Sequence, residues 1–250
     1  MVGIVPGENG VIDVEILRSF RKLASQGRVL PGSRAGHADG WGIVIWEDSM
    51  PEYLAREPAD ASLDPKYDSA LDSLTEQGTR NGKNKTQVLL AHLRKASSGA
   101  THVRENTHPF VFKEWAFAHN GTIRRMNLRD RTDSEWFFQS VMRRLERGSG
   151  ESIEDAIASQ VRSVQEVYDY SSLTFLLSDG KSLYGYRDCT AHDDYYTLYF
   201  RRPGKDEGGG VVVSQEKVVL PQGARWEEVP NGRLLRVNAK NLECELIPLT

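Results

Sequence analysis

The chain has 250 residues, with 32 Lys plus Arg against 35 Asp plus Glu, 39% apolar and 27% charged residues, and five Trp, nine Tyr and eight Phe. This is a globular composition, long enough to bury a substantial core, and a net charge of −3 gives no general attraction to nucleic acid or an anionic membrane. Two cysteines, Cys189 and Cys244, are too few for a disulfide scaffold or a four-thiolate zinc site. No run reaches the roughly eighteen apolar residues of a membrane span, and the start Met1-Val-Gly-Ile-Val-Pro-Gly7 has neither the basic region nor the apolar run of a signal peptide, so a cytoplasmic location is the default expectation.

In chain order, Val2–Val5 is a β-branched run closed by Pro6-Gly7 and predicts a short strand. Residues 12–25 put Ile16, Leu17, Phe20, Leu23 and Ala24 on one helical face. Gly42–Trp46 reads as a buried strand. Residues 56–85 are polar and irregular, with a short helix around Tyr67–Leu74. Thr86–Leu93 and Trp115–His119 are further strands, the second ending at Asn120-Gly121, a turn signal. Two helices follow, from about Asp133 to Glu146 and from about Ile153 to Val167. They are linked by Gly148-Ser-Gly150 and are therefore expected to form an antiparallel pair. The remainder reads as strands: Leu173–Leu177, Leu183–Tyr186, Tyr196–Arg201, Val211–Ser214, Leu234–Val237 and Glu245–Pro248, with a Gly-rich turn at Gly204–Gly210. A helix pair between groups of strands, without βαβ alternation, excludes a parallel architecture and predicts an α+β fold of two antiparallel sheets with helices on their outer faces. No fixed repeat is visible, and residues 1–250 are expected to form a single domain.

Five of the six histidines, His37, His92, His102, His108 and His119, fall in the first half of the chain. They lie in or near four unusual blocks: Arg34-Ala-Gly-His-Ala-Asp-Gly-Trp-Gly42, His92-Leu-Arg-Lys-Ala-Ser-Ser-Gly99, Asn106-Thr-His-Pro-Phe110 and Ala118-His-Asn-Gly-Thr122. Three of these blocks are at or next to strand ends, where a rigid sheet tends to present catalytic groups. The histidines lack the HExxH, CxxC or i, i+4 spacing of a metal site, so no metal or cofactor is expected. There is no Gly-x-Ser-x-Gly elbow for a serine hydrolase, although Ser97, Ser98, His92 and Asp39 could meet in space.

These blocks, followed by Thr132-Asp-Ser-Glu135, closely resemble in order and spacing the class II glutamine amidotransferases, and most nearly their stand-alone branch. Val211-Val-Val-Ser214 and Trp226-Glu-Glu-Val-Pro-Asn-Gly-Arg-Leu-Leu235 resemble the same branch. The resemblance implies an N-terminal nucleophile hydrolase fold, a four-layer αββα sandwich. It also implies a mechanism in which an N-terminal cysteine attacks the side-chain amide of glutamine with its own α-amine as base. By match, Arg94 would hold the substrate α-carboxylate in a two-pronged fork. Asn120 and Gly121 would form the oxyanion hole, and a plain Asn-Gly hairpin is a compatible reading of the same residues. Asp133 would hold the substrate ammonium. Thr132–Glu135 is also a capping box, so Asp133 has a role at the helix start as well. His119 and His108 fall at substrate-side positions, and with His37 and His92 they are read as hydrogen-bonding struts rather than proton shuttles. Asp39 and Arg34 are expected to order the loop before Gly42, Trp41 to be core, and the Arg124, Arg125, Arg129, Arg131 cluster to be solvated charge.

The resemblance departs at the start, where the family's nucleophile follows the initiator Met and this chain has Val2. Two alignments are open. Either Val2 replaces the cysteine and the protein is a catalytically dead glutamine-binding module, or the cysteine lies just upstream of Met1, which is the preferred alignment. Cys189 and Cys244 cannot substitute, because neither carries a free α-amine. The implied partners are glutamine or another γ-glutamyl amide and, unless simple amide hydrolysis is the whole reaction, a separate ammonia-accepting enzyme, with no nucleic acid and no membrane.

Overall fold

The structure, a computed structural model, describes residues 1–47, 50–79, 86–96, 102–126, 128, 131–147, 150–203, 209–220 and 225–249. The chain opens with β1 (Val2–Val5), α1 (Val14–Arg21) and α2 (Leu23–Gln26), then β2 (Trp41–Glu47), β3 (Met50–Glu57), α3 (Pro65–Thr79) and β4 (Thr86–Leu93). It continues through β5 (Phe110–Phe112), β6 (Trp115–Asn120), α4 (Asp133–Glu146) and α5 (Ile153–Val167). The last part is β7 (Thr174–Ser178), β8 (Ser182–Arg187), β9 (Tyr199–Arg201), β10 (Val211–Ser214), β11 (Glu227–Glu228), β12 (Arg233–Asn238) and β13 (Cys244–Pro248).

The strands form two antiparallel sheets, in the orders β11-β9-β10-β1-β4-β2-β3 and β13-β12-β8-β7-β6-β5. Three apolar clusters separate four layers. Phe20, Leu71 and Trp41 belong to the cluster between α1–α3 and the first sheet. Trp46, Leu90, Leu176 and Phe200 fill the space between the sheets. Phe117, Phe137, Phe175 and Val161 belong to the cluster between the second sheet and α4–α5. Strict alternation along β1 shows the layering: Val2 and Ile4 join the first cluster, Met1 and Val5 the second. These are the two antiparallel sheets with outer helices that the residue pattern predicted, in the αββα sandwich that the resemblance implied. Among the described residues, no helix is long and apolar enough to cross a membrane.

The helix ends follow their capping chemistry. The Thr132 hydroxyl accepts from the Glu135 backbone N–H at 3.1 Å and the Ser152 hydroxyl from Asp155 N–H at 3.1 Å, so α4 and α5 start where the sequence placed them. The single helix predicted over residues 12–25 is two, because at Lys22, itself in helical conformation, the backbone bond tightens to the third residue back, Lys22 N–H to Ser19 O at 3.2 Å. The short helix predicted over Tyr67–Leu74 extends in both directions and starts at Pro65, a residue suited to the first helical turn. β3, β5 and β11 are additional to the predicted strands. β3 is an edge strand whose Pro51, Glu52 and exposed Tyr53 give no apolar alternation. Trp41 is fully buried in the core, with its indole N–H donating to Asp64 Oδ2 at 3.0 Å. The turn at Gly204–Gly210 lies mostly outside the described residues.

Candidate active site

Antiparallel pairing places the chain start beside two strand ends. Val2 is opposite Ala91 of β4 and Ser214 of β10, so residue 1 lies next to His92 and the segment that follows β10. β4 packs on β6 of the other sheet. The ends of β4 and β6, the start of β1 and the N-terminus of α4 therefore meet at one rim of the sandwich. A cavity of about 700 Å³ opens there, and Met1, Arg94, His108, His119, Asn120, Gly121 and Asp133 all line it.

Arg94 is buried at the end of β4. Its backbone N–H donates to Gly40 O at 2.7 Å, its carbonyl accepts from Asp39 N–H at 2.9 Å, and Asp39 Oδ2 accepts from Ala96 N–H at 2.8 Å. Asp39 thus ties its own loop to the strand that carries Arg94, and the Arg34 carbonyl accepts from Lys95 Nζ at 3.0 Å. Burial lowers the Arg94 pKa and the Asp39 carboxylate opposes that shift.

Asn120 closes β6, but no hairpin follows. The next strand in register with β6 is β7, which begins at Thr174, and after Gly121 the chain leaves the sheet for α4. The plain Asn-Gly hairpin is therefore not the local structure. Gly121 is required by close approach: a Cβ there would lie 1.9 Å from Ser172 O and 2.7 Å from His119 Nε2. Gly121→Ala is expected to destabilise the protein by about 2–3 kcal/mol through overpacking, read as a lowered urea midpoint at unchanged m-value. An unchanged midpoint would show that this turn yields without cost.

Asp133 is in the first turn of α4, and its Oδ2 accepts from Ile123 N–H at 2.7 Å, so one carboxylate oxygen anchors the chain that leaves Gly121. His119 is a strut: Nδ1 lies 2.8 Å from Ser134 Oγ and Nε2 lies 3.1 Å from Ser172 O, which makes Nε2 the protonated nitrogen. Burial lowers its pKa and Asp133 opposes this. His92 and His108 differ from that expectation. Their rings meet at a tilt of 39°, with centroids 4.5 Å apart, and His92 Nδ1 and both His108 nitrogens are buried without a hydrogen-bond partner. Burial holds both pKa values well below the ordinary histidine value; His108 further opposes charge on His92, and His119 on His108. They are neutral packing groups in the cavity wall rather than struts.

Residues without a motif complete the site. Glu216, just after β10, accepts from the Arg28 N–H at 3.0 Å and lies 3.4 Å from His37 Nε2. Burial works to raise its pKa, but the bonds from His37 and Arg28 outweigh it and the net shift is downward. As a free amine, the nitrogen of Met1 has its pKa lowered to about 5 by burial, against the pull of Glu216. The Tyr195 hydroxyl hydrogen-bonds the Asn120 side chain from a loop held by Arg28, whose Nη1 donates to Asp194 O at 2.6 Å. Val2 is buried with its side chain among Phe20 and Leu17, on the helix side of the sheet, and does not line the cavity. Cys189 and Cys244 are free thiols that also lie outside it. Arg131 lines the cavity and donates to Gln139 Oε1 at 2.6 Å, whereas Arg125 pairs with Asp169 at 3.1 Å on the surface. Ser97, Ser98 and Arg129 lie outside the described residues.

Two stacked antiparallel sheets clad by helices, with a cavity at the strand ends beside β1, define an αββα sandwich with its candidate site at one rim. The profile of the class II glutamine amidotransferases matches residues 9–245, and the chain belongs to that family. It is 27% identical over 228 residues to an uncharacterized protein of Methanocaldococcus jannaschii, covering 80% of this chain and 61% of that one. It is 25% identical over 206 residues to the gamma-glutamyl-hercynylcysteine sulfoxide hydrolase of Mycobacterium tuberculosis, covering 82% of this chain and 78% of that one. Among solved structures, the glutamine phosphoribosylpyrophosphate amidotransferase of B. subtilis matches all of this chain and 49% of its own, with a TM-score of 0.64 at 17% identity. The chain thus spans about three fifths of the archaeal relative and half of the B. subtilis enzyme.

Proposed function

We propose that residues 1–250 form one glutamine amidotransferase domain that hydrolyses glutamine or another γ-glutamyl amide. The nucleophile in this reading is an N-terminal cysteine thiolate that precedes Met1 in the natural polypeptide. The observation that carries it is the convergence of Arg94, Asp133, Asn120 and Gly121 on one cavity at the chain start. The thiolate attacks the amide carbon, and the oxyanion takes hydrogen bonds from the Asn120 side chain and the Gly121 N–H. Arg94 holds the α-carboxylate and Asp133 the α-ammonium. His119 fixes the turn that carries the donors, and His108 walls the substrate. The free α-amine takes the thiol proton and passes it to the leaving ammonia. Water then cleaves the thioester and releases glutamate. An α-amine that is neutral at pH 7 is able to accept that proton.

The cavity, about 700 Å³, is within the range of pockets that take drug-sized ligands, which favours γ-glutamyl amides with a larger leaving amine as well as glutamine. The mycobacterial relative, a gamma-glutamyl-hercynylcysteine sulfoxide hydrolase, supports the same reading. Where ammonia is the product used, a separate enzyme accepts it, and the reaction is cytoplasmic.

The test is glutamate release by a chain in which protease cleavage exposes a cysteine ahead of Met1, assayed on glutamine and a panel of γ-glutamyl amides. Turnover that disappears on Cys→Ala supports the proposal; an inert protein overturns it. A second reading, a non-catalytic glutamine-binding module, draws on the position of both cysteines outside the cavity. Calorimetry on the present chain supports that reading if glutamine or glutamate binds while the cysteine-bearing form shows no turnover.

A further inference from the structure

A second recess, about 320 Å³, lies on the outer face of the sandwich between α4 and α5 and shares no lining residue with the active-site cavity. Arg143, Arg144 and Arg147 all line it, and no carboxylate does among the described residues. Two of the guanidiniums have neutral partners here: Arg143 Nη2 donates to Ser140 Oγ at 2.9 Å and Arg144 Nε to Gln160 Oε1 at 3.3 Å. Three acids of the same two helices are engaged elsewhere. Glu146 pairs with Lys113, Glu154 with Arg236 at 3.0 Å, and Glu135 accepts from Gln139 at 2.9 Å.

Three cations around one concavity repel one another, and among the described residues no carboxylate lines the recess to compensate them. The C-terminal turn of α4 gains from a cation near its carbonyls, but that gain does not require three guanidiniums around one hollow. Ser140 and Gln160 are buried, so the neutral partners that hold Arg143 and Arg144 are fixed, and the guanidinium forks are oriented in advance. Trp136 and Tyr168, packed edge to face at 5.6 Å, form an aromatic wall beside the cations.

We propose that this recess binds a phosphate-bearing small molecule, with the three guanidiniums on the phosphoryl oxygens and the Trp136–Tyr168 wall against whatever the phosphate carries. Guanidinium forks match phosphoryl oxygens in pairs, and a dianion or trianion relieves the mutual repulsion of the cluster. The site is independent of the hydrolase reading and does not depend on the nucleophile.

The test uses the full chain, titrated with inorganic pyrophosphate and with ADP at constant ionic strength, by calorimetry and by indole fluorescence. The expected result is saturable binding of one ligand per chain, accompanied by a raised Tm. The exposed pair Arg143→Ala and Arg147→Ala is expected to weaken binding by at least about tenfold, and Trp136→Phe to remove the fluorescence response. Arg94→Ala, at the other cavity, is expected to leave the affinity unchanged. ADP binding about tenfold more tightly than pyrophosphate would identify a ligand with a ring on the aromatic wall, and equal binding one held by phosphate alone; both retain the site. No saturable binding up to about 10 mM, or undiminished affinity in the double arginine variant, would overturn it.

Discussion

Arg94→Ala, made in the cysteine-bearing protein, is expected to lower kcat/KM for glutamine by about a thousandfold, with most of the loss in KM. The guanidinium is buried at the end of β4, where the cavity wall shields it from water. Truncating one partner of a buried, hydrogen-bonded charge pair costs about 4 kcal/mol, which corresponds to three powers of ten. The α-carboxylate is remote from the reacting amide, so its contact is as strong in the ground state as in the transition state, and its loss belongs mainly in KM. Arg94→Lys should recover the charge but not the two-pronged geometry, and so only part of the affinity. A KM equal to that of the parent protein would show instead that the side chain serves Asp39 alone. Urea unfolding separates this from a folding defect: the strand end is held through backbone bonds from Gly40 and Asp39, which the substitution leaves in place.

The sequence carried the parts of this fold in which local chemistry and tertiary position agree. Thr132 and Ser152 are genuine caps before apolar periodic runs, so the bounds of α4 and α5 follow from the residues themselves. β1, buried on both faces, reads as an unbroken apolar run. β3 was not legible, since an edge strand paired on one side tolerates Pro51 and a row of charges. Arg94, Asn120, Gly121 and Asp133 were found through ordered motifs, and the motifs lie where β4, β6 and α4 meet. Glu216 and Tyr195 carry no such mark. They reach the site by the return of β10 alongside β1 and by a loop held across the fold by Arg28, both long-range consequences of topology. The histidines show the same limit: sequence spacing groups them, but only packing distinguishes His119, with both nitrogens bonded, from the adjacent His92 and His108, whose buried Nδ1 and, in His108, Nε2 have no partner.

That adjacent pair leads to the second large effect. His92 and His108 are buried, and burial holds both pKa values well below the unfolded value of about 6.5, with His108 resisting charge on His92 and His119 resisting charge on His108. Below that pH the unfolded chain binds protons that the native state does not, so stability is highest near neutrality and falls as pH decreases. Each histidine removes at most about 1.4 kcal/mol per pH unit once its unfolded form is charged, so the pair is expected to remove up to about 4 kcal/mol between pH 7 and pH 5. His119, also lowered by burial, and a free amine at residue 1, lowered to about 5, act with the same sign. Urea unfolding at the two pH values measures the loss. In the His92→Gln, His108→Gln double variant the difference between the two pH values should shrink by that amount, whatever its stability at pH 7. A double variant that kept the full dependence would place the acid sensitivity elsewhere and show that the two rings already carry a proton, or find a partner, in the native fold. A flattened dependence would mean that the wall of the active-site cavity is built from neutral imidazoles. The cavity would then open on acidification because its own lining must charge, and amide hydrolysis and stability would decline together below about pH 6.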